Sequence, residues 1–88
     1  MNKSYKKQNE VLEVLNIIFK EKLLDESVEI NLETTADDIL EWNSLNHLAI
    51  ILAIENHFQI KFNPMQLSNM QNIGEMIDII ISLTQSKN

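Results

Sequence analysis

The sequence predicts an all-α domain of four helices, the third of them short, with a long loop between the first two. Two observations carry that class. Glycine and proline occur once each, at Gly74 and Pro64, whereas sheets joined by tight hairpins need more turn residues than that. Isoleucine and leucine recur instead at helical spacings of three and four, separated by polar connections. Eighty-eight residues leave room for one core and not two. A single domain is therefore expected over 1–88, with its core at about 8–84 and frayed termini. A chain this short buries only about 60–65% of the surface its unfolded form exposes, so its stability margin is modest.

The first helix is expected from about Lys6 to Leu24. Val11, Leu12, Leu15, Ile18 and Phe19 line one face, and Glu10, Glu13, Asn16 and Lys20 fill the other. Asn2 or Ser4 could cap it, and Lys20 and Lys22 suit its negative C-terminal end. Asp25 to Asn43 reads as a long connection. Val28, Ile30 and Leu32 alternate in it like a strand, but no second strand is available to pair, so they are expected to pin a loop to the bundle. Thr35 to Leu40 could form one short turn. A connection of this length often carries function.

The second long helix is expected from Ser44 to about His57, with Asn43 as its N-cap. Leu45, Leu48, Ile51, Leu52 and Phe58 form a stripe that Ile50 and Ile54 widen. A helix apolar over so much of its circumference is either central to the bundle or carries a second, partner-facing surface. Gln59 to Asn63 turns the chain, and Pro64 then opens a short third helix to Met70. Asn72 and Glu75 have capping-box spacing and open the last helix, which carries Ile73, Met76, Ile77, Ile80, Ile81 and Leu83.

Composition removes several function classes. The absence of cysteine excludes disulfides, thiolate catalysis and cysteine metal sites. Met1 to Glu10 lacks the apolar stretch of a signal peptide. The longest apolar run, Leu48 to Ile54, is far too short for a membrane span. A soluble, cytoplasmic protein is expected. Thirteen acidic residues against seven lysines, with no arginine, give a net charge of −6. That field repels a phosphate backbone, and guanine readout has no arginine to perform it, so nucleic acid is not an expected partner. A basic protein surface fits better, although many small domains are acidic only for solubility.

Candidate catalytic groups are few. His47 and His57 lie ten residues apart, about 80° apart on a helix and almost three turns from each other, so they cannot share a metal ion. Each is expected to face solvent. Asp37 and Asp38 suit a capping role better than a catalytic dyad, since nothing apolar beside them would raise a carboxyl pKa. A single glycine rules out a glycine-rich phosphate loop. What remains is Trp42-Asn43-Ser44-Leu45, where the long loop meets the most apolar helix. The aromatic can anchor the loop end, and Ser44 falls in the first turn with its hydroxyl outward. Unpaired amides and the positive end of the helix dipole there favour a negatively charged group on that hydroxyl. Taken alone this only permits a phosphate ester, because serine at a helix start is usually no more than a cap.

The wider pattern adds to it. Glu41-Trp-Asn-Ser-Leu-Asn-His-Leu-Ala-Ile-Ile-Leu-Ala-Ile-Glu-Asn-His-Phe-Gln-Ile-Lys-Phe62 resembles the phosphopantetheine attachment region of the acyl and peptidyl carrier proteins. That family has Asp-Ser-Leu, often preceded by tryptophan in stand-alone carriers of specialised biosynthesis. A helix follows, ending in Leu/Ile-Glu-x-x-Phe, and then a turn with Ile-x-Phe or Ile-x-Ile. Met70-Gln-Asn-Ile-Gly-Glu-Met-Ile-Asp78 resembles the motif that opens the family's last helix. The likeness covers roughly residues 8 to 84. It implies the four-helix bundle of acyl-carrier type, a carrier and not an enzyme. Ser44 would accept 4'-phosphopantetheine from coenzyme A through a magnesium-dependent phosphopantetheinyl transferase. The arm's thiol would then hold acyl or aminoacyl groups as thioesters for a loading ligase and for downstream synthases or transferases. The carrier would act as a monomer with no metal site of its own.

Two departures stand out. Asn43 occupies the position where the family usually has aspartate, which keeps the cap but removes a charge beside Ser44 that could serve the transferase or its magnesium. On the second helix Asn46, His47, Ala49 and Asn56 are uncharged and only Glu55 is acidic. Docking is therefore expected through Leu45, Leu48 and Leu52 with little electrostatic steering. Asn43 also motivates the alternative, a carrier-like protein-binding module that is no longer modified.

Overall fold

A computed structural model describes residues 2–85, with side chains from Lys7 onward. Four helices follow one another: α1 (Asn2–Leu23), α2 (Ser44–Phe58), α3 (Pro64–Asn69) and α4 (Ile73–Gln85), with a single 3-10 turn at Ala36–Asp38. No strand occurs among the described residues, so the alternation at Val28, Ile30 and Leu32 is a loop. α1 begins four residues before the expected start at Lys6. Its proposed caps, Asn2 and Ser4, are inside the helix, and their side chains lie outside the described residues, as does the tail beyond Gln85.

The core is built from the expected faces of α1 and α4. Val11, Leu15, Ile18 and Phe19 are buried together with Leu23, and they meet Ile73, Met76, Ile77 and Ile80 of α4. α2 contributes Ile50, Ile51 and Ile54. That corrects the expected stripe. Leu45, Leu48 and Leu52 are 78%, 57% and 55% exposed, so the two faces of the helix divide into isoleucines inward and leucines outward. Positions 50, 51 and 54 are related by three and four residues, and α2 turns that set toward α1.

The long loop is held by polar bonds that the hydrophobic pattern does not reveal. Asn16, expected on the solvent face of α1, is half-buried. Its Oδ1 accepts the Ile30 amide at 2.9 Å, and its Nδ2 donates to the Ile30 carbonyl at 3.3 Å. One side chain thus does for Ile30 what a neighbouring strand would do. Further on, the loop carbonyls of Thr34 and Leu32 accept the Ile73 and Gly74 amides at 2.9 and 2.8 Å, satisfying donors that a helix start leaves open. A Cβ on Gly74 would lie 3.1 Å from the Leu32 oxygen, so this close approach explains the chain's lone glycine.

Caps close the remaining ends. Asp38 Oδ2 accepts from the Thr35 amide and hydroxyl at 2.9 and 3.2 Å, so the acidic pair does include a capping residue. Asp25 accepts from the Ser27 hydroxyl and amide, and these bonds hold its carboxyl below the usual range. α2 runs one residue past His57 and ends in Gln59, which takes the left-handed conformation at φ 56°. α3 opens with Asn63 and Gln66 exchanging bonds of 2.7 and 2.9 Å ahead of Pro64, and it stops at Asn69 rather than Met70. At α4 the Asn72 side-chain Oδ1 accepts the Glu75 amide at 2.8 Å. The Glu75 carboxylate, however, reaches back to Gln71 and not to Asn72.

Candidate functional site

The end of the long loop and the first turn of α2 form one hydrogen-bonded unit. Trp42 is 9% exposed and stands perpendicular to Phe19, with ring centroids 4.8 Å apart. The aromatic anchors the loop to α1, as its position suggested. Asn43 is extended at φ −98°, ψ −178°, and its Oδ1 accepts the Asn46 amide at 3.0 Å. Such a cap is worth about 1 kcal/mol. The Asn43 carbonyl takes the His47 amide at 2.7 Å, and Asn46 Nδ2 reaches back to the Glu41 carbonyl at 2.6 Å.

Ser44 is the first residue of α2 and is exposed. The first turn holds no acidic side chain. Among the described residues the Ser44 and Leu45 amides, which follow the Asn43 cap, meet no acceptor. An anionic ester on Ser44 Oγ would therefore sit at two open donors and the positive end of the helix. No cluster of three or more His, Asp or Glu suited to a metal ion occurs among the described residues.

Two groups differ from expectation. His47 does not face solvent. It is half-buried, and its Nδ1 accepts the Trp42 indole N–H at 2.9 Å, with the rings 5.9 Å apart and inclined by 29°. Burial holds its pKa below the usual histidine range. The spacing Trp-x-x-x-x-His across a helix start was the available signal, but composition-based reasoning treats a lone histidine as solvated. Glu55 is half-buried too, and its carboxylate accepts the Phe62 amide at 2.8 Å. It secures the turn after α2 instead of standing free on the helix surface. His57 remains exposed.

The His47 shift has a thermodynamic consequence. The unfolded chain takes up a proton at about pH 6.5, whereas the native imidazole does so only at lower pH. The unfolded state then binds more protons, so stability falls as pH drops through the unfolded pKa toward the native one. Urea midpoints are expected to decline from pH 7.5 to 5.5 in the wild type and to stay flatter in His47→Gln. Parallel slopes would contradict this origin.

The leucines expected to meet partners, Leu45, Leu48 and Leu52, lie on the exposed face of α2 below Ser44, and Leu40 and Met65 are also exposed, at 94% and 72%. No helix among the described residues is long and apolar enough to cross a membrane.

Comparison with known proteins gave matches of two kinds. A family model described as "Phosphopantetheine attachment site" matches residues 12–80. The solution structure of a holo acyl carrier protein from Geobacter metallireducens superposes with a TM-score of 0.81 at 34% identity, covering 86% of this chain and 87% of that one. A search of curated proteins gave no match.

Proposed function

The chain belongs to the phosphopantetheine-attachment family of carrier proteins, and from that premise we propose that Ser44 is its acceptor residue. Members of this family are carriers rather than catalysts, and their prosthetic group is covalently bound 4'-phosphopantetheine. When attached, that group supplies a thiol on a flexible arm, where acyl or aminoacyl groups ride as thioesters. The observation that carries the assignment is the exposed Ser44 hydroxyl at the first position of α2, directly after a capping asparagine.

The residues present fit the group. Ser44 Oγ would bond to the phosphorus next to the pantetheine arm as the pyrophosphate P–O bond of coenzyme A breaks, with adenosine 3',5'-bisphosphate leaving and the serine proton passing to a base on the transferase. The open first-turn amides suit the charge that results. Asn43 replaces an aspartate of the usual motif but still caps the helix, so Ser44 keeps its place while the neighbouring charge is lost. Leu45, Leu48 and Leu52 form the docking face for a phosphopantetheinyl transferase, a loading ligase and downstream synthases or transferases of a specialised biosynthetic pathway. Glu55 is the only acidic residue of α2 and is tied to the Phe62 amide, so that face offers little charge for steering a partner. The chain works as one domain over 1–88, as a cytoplasmic monomer. An arm of this kind keeps its cargo at high effective concentration near whichever enzyme is docked.

Intact-mass measurement after incubation with coenzyme A, magnesium and a broad-specificity transferase tests the assignment. The expected result is a phosphopantetheine-sized gain in the wild type and none in Ser44→Ala. No gain in the wild type, with a control carrier modified in the same mixture, would favour the unmodified binding module that Asn43 suggests. A gain that survives in Ser44→Ala would move the site elsewhere.

A further inference from the structure

We propose that His47 is a positioning residue for modification at Ser44: it accepts the indole N–H of Trp42, and that bond holds the loop end from which Ser44 is presented. The inference rests on Ser44 being the acceptor. Trp42 is buried against Phe19, so its indole nitrogen needs an acceptor within the protein. His47 Nδ1 is that acceptor, at 2.9 Å. An indole nitrogen can only donate. His47 Nδ1 therefore carries the lone pair, and the ring proton sits on Nε2.

The placement relative to Ser44 gives the bond its role. Ser44 follows Trp42 by two residues and precedes His47 by three, which puts Ser44 and His47 on one helix face. Helical side chains lean over the preceding turn, and for His47 that is the turn beginning with Ser44. The main-chain bonds of this segment, Trp42 to the Ile39 carbonyl and Asn43 to the Glu41 carbonyl, shape the backbone without fixing the indole. The indole is fixed by Phe19 on one side and His47 on the other. Reacting atoms must be held about 3–3.5 Å apart, and a displacement of ~1 Å can cost 10²-fold in rate. Slack between residues 41 and 44 should therefore appear in the transfer reaction.

The test compares wild type, His47→Leu and His47→Gln, using coenzyme A and a transferase for kinetics and NMR of the uncharged, unmodified proteins for structure. Leucine keeps the apolar bulk and removes the acceptor, while glutamine restores an acceptor oxygen. For His47→Leu the expectation is a roughly tenfold loss of kcat/KM. The chain's single tryptophan gives one indole N–H resonance, which should move toward its free position in that variant. His47→Gln should recover the rate to within about twofold and return the resonance. In the wild type at pH 8, long-range nitrogen spectra should show His47 Nδ1 unprotonated and Nε2 carrying the proton, a readout independent of any variant's folding. The opposite tautomer, an unmoved indole resonance in His47→Leu, or His47→Gln as slow as His47→Leu would overturn the proposal. Wild type that takes up no group beside a modified control would overturn the Ser44 assignment itself, a result the indole and imidazole spectra keep separate from failure of the Trp42–His47 bond.

Discussion

Phe19→Ala is expected to cost about 3–5 kcal/mol, a large share of the chain's stability. Phe19 is fully buried and forms the wall against which Trp42 stands, 4.8 Å between centroids. Truncation removes the transfer energy of the ring and opens a cavity between α1 and the loop end, which can close only if Trp42 moves. Stability of about 0.05–0.15 kcal/mol per residue gives a chain of 88 residues no more than a few multiples of that loss. Urea unfolding followed by far-ultraviolet circular dichroism measures it. Ile17→Ala is the control, because Ile17 lies on the same helix but is 64% exposed, and its change should stay within about 0.5 kcal/mol. Similar losses in the two variants would show that Phe19 is not the keystone of this contact.

Asn16→Leu should be the second most damaging of these substitutions, although it replaces a polar residue in a helix with an apolar one of similar size. The exchange leaves the amide and carbonyl of Ile30, itself 2% exposed, without their partners. Each unpaired buried group costs about 1–3 kcal/mol, and the apolar burial that leucine gains offsets part of the sum for two groups, so the net loss is expected near 2–4 kcal/mol. The residues of the loop near Ile30 should also become sensitive to limited proteolysis at temperatures where the wild type resists. Glu13→Leu, at an exposed position on the same helix, should change neither readout much. If Asn16→Leu proved as stable as the wild type, the Ile30 bonds would be replaceable by water.

These two residues mark the boundary of what could be read from the sequence. Phe19 was legible because it belongs to a periodic face, and periodicity is a property of one element alone. The faces of α1 and α4, the cap at Asn43 and the helix start at Pro64 share that local character. Asn16 was not legible, since its partner is fourteen residues away and nothing local says that a polar side chain in a helix will serve a distant backbone. The same limit hid the choice of which stripe of α2 faces inward, whereas the partners of His47 and Glu55 are only five and seven residues away but across a helix end, where helical spacing no longer says which side chains meet. An all-round apolar helix has no single moment to read, and only the neighbours decide. Ser44 was locally ambiguous as well. Its neighbourhood permits an ester, and the resemblance of the whole segment is what pointed to one.

The bonds from Ile73 and Gly74 to the loop carbonyls of Thr34 and Leu32 carry a consequence for motion. Segments that share hydrogen bonds open together, as one cooperative unit. Undocking the loop uncovers the first amides of α4, and fraying of α4 removes the acceptor's partners from the loop. The stretch that ends at Trp42 therefore does not fluctuate as a free tether. Hydrogen exchange at two amides in the fourth helix keeps a record of how often the connection between the first two lifts away.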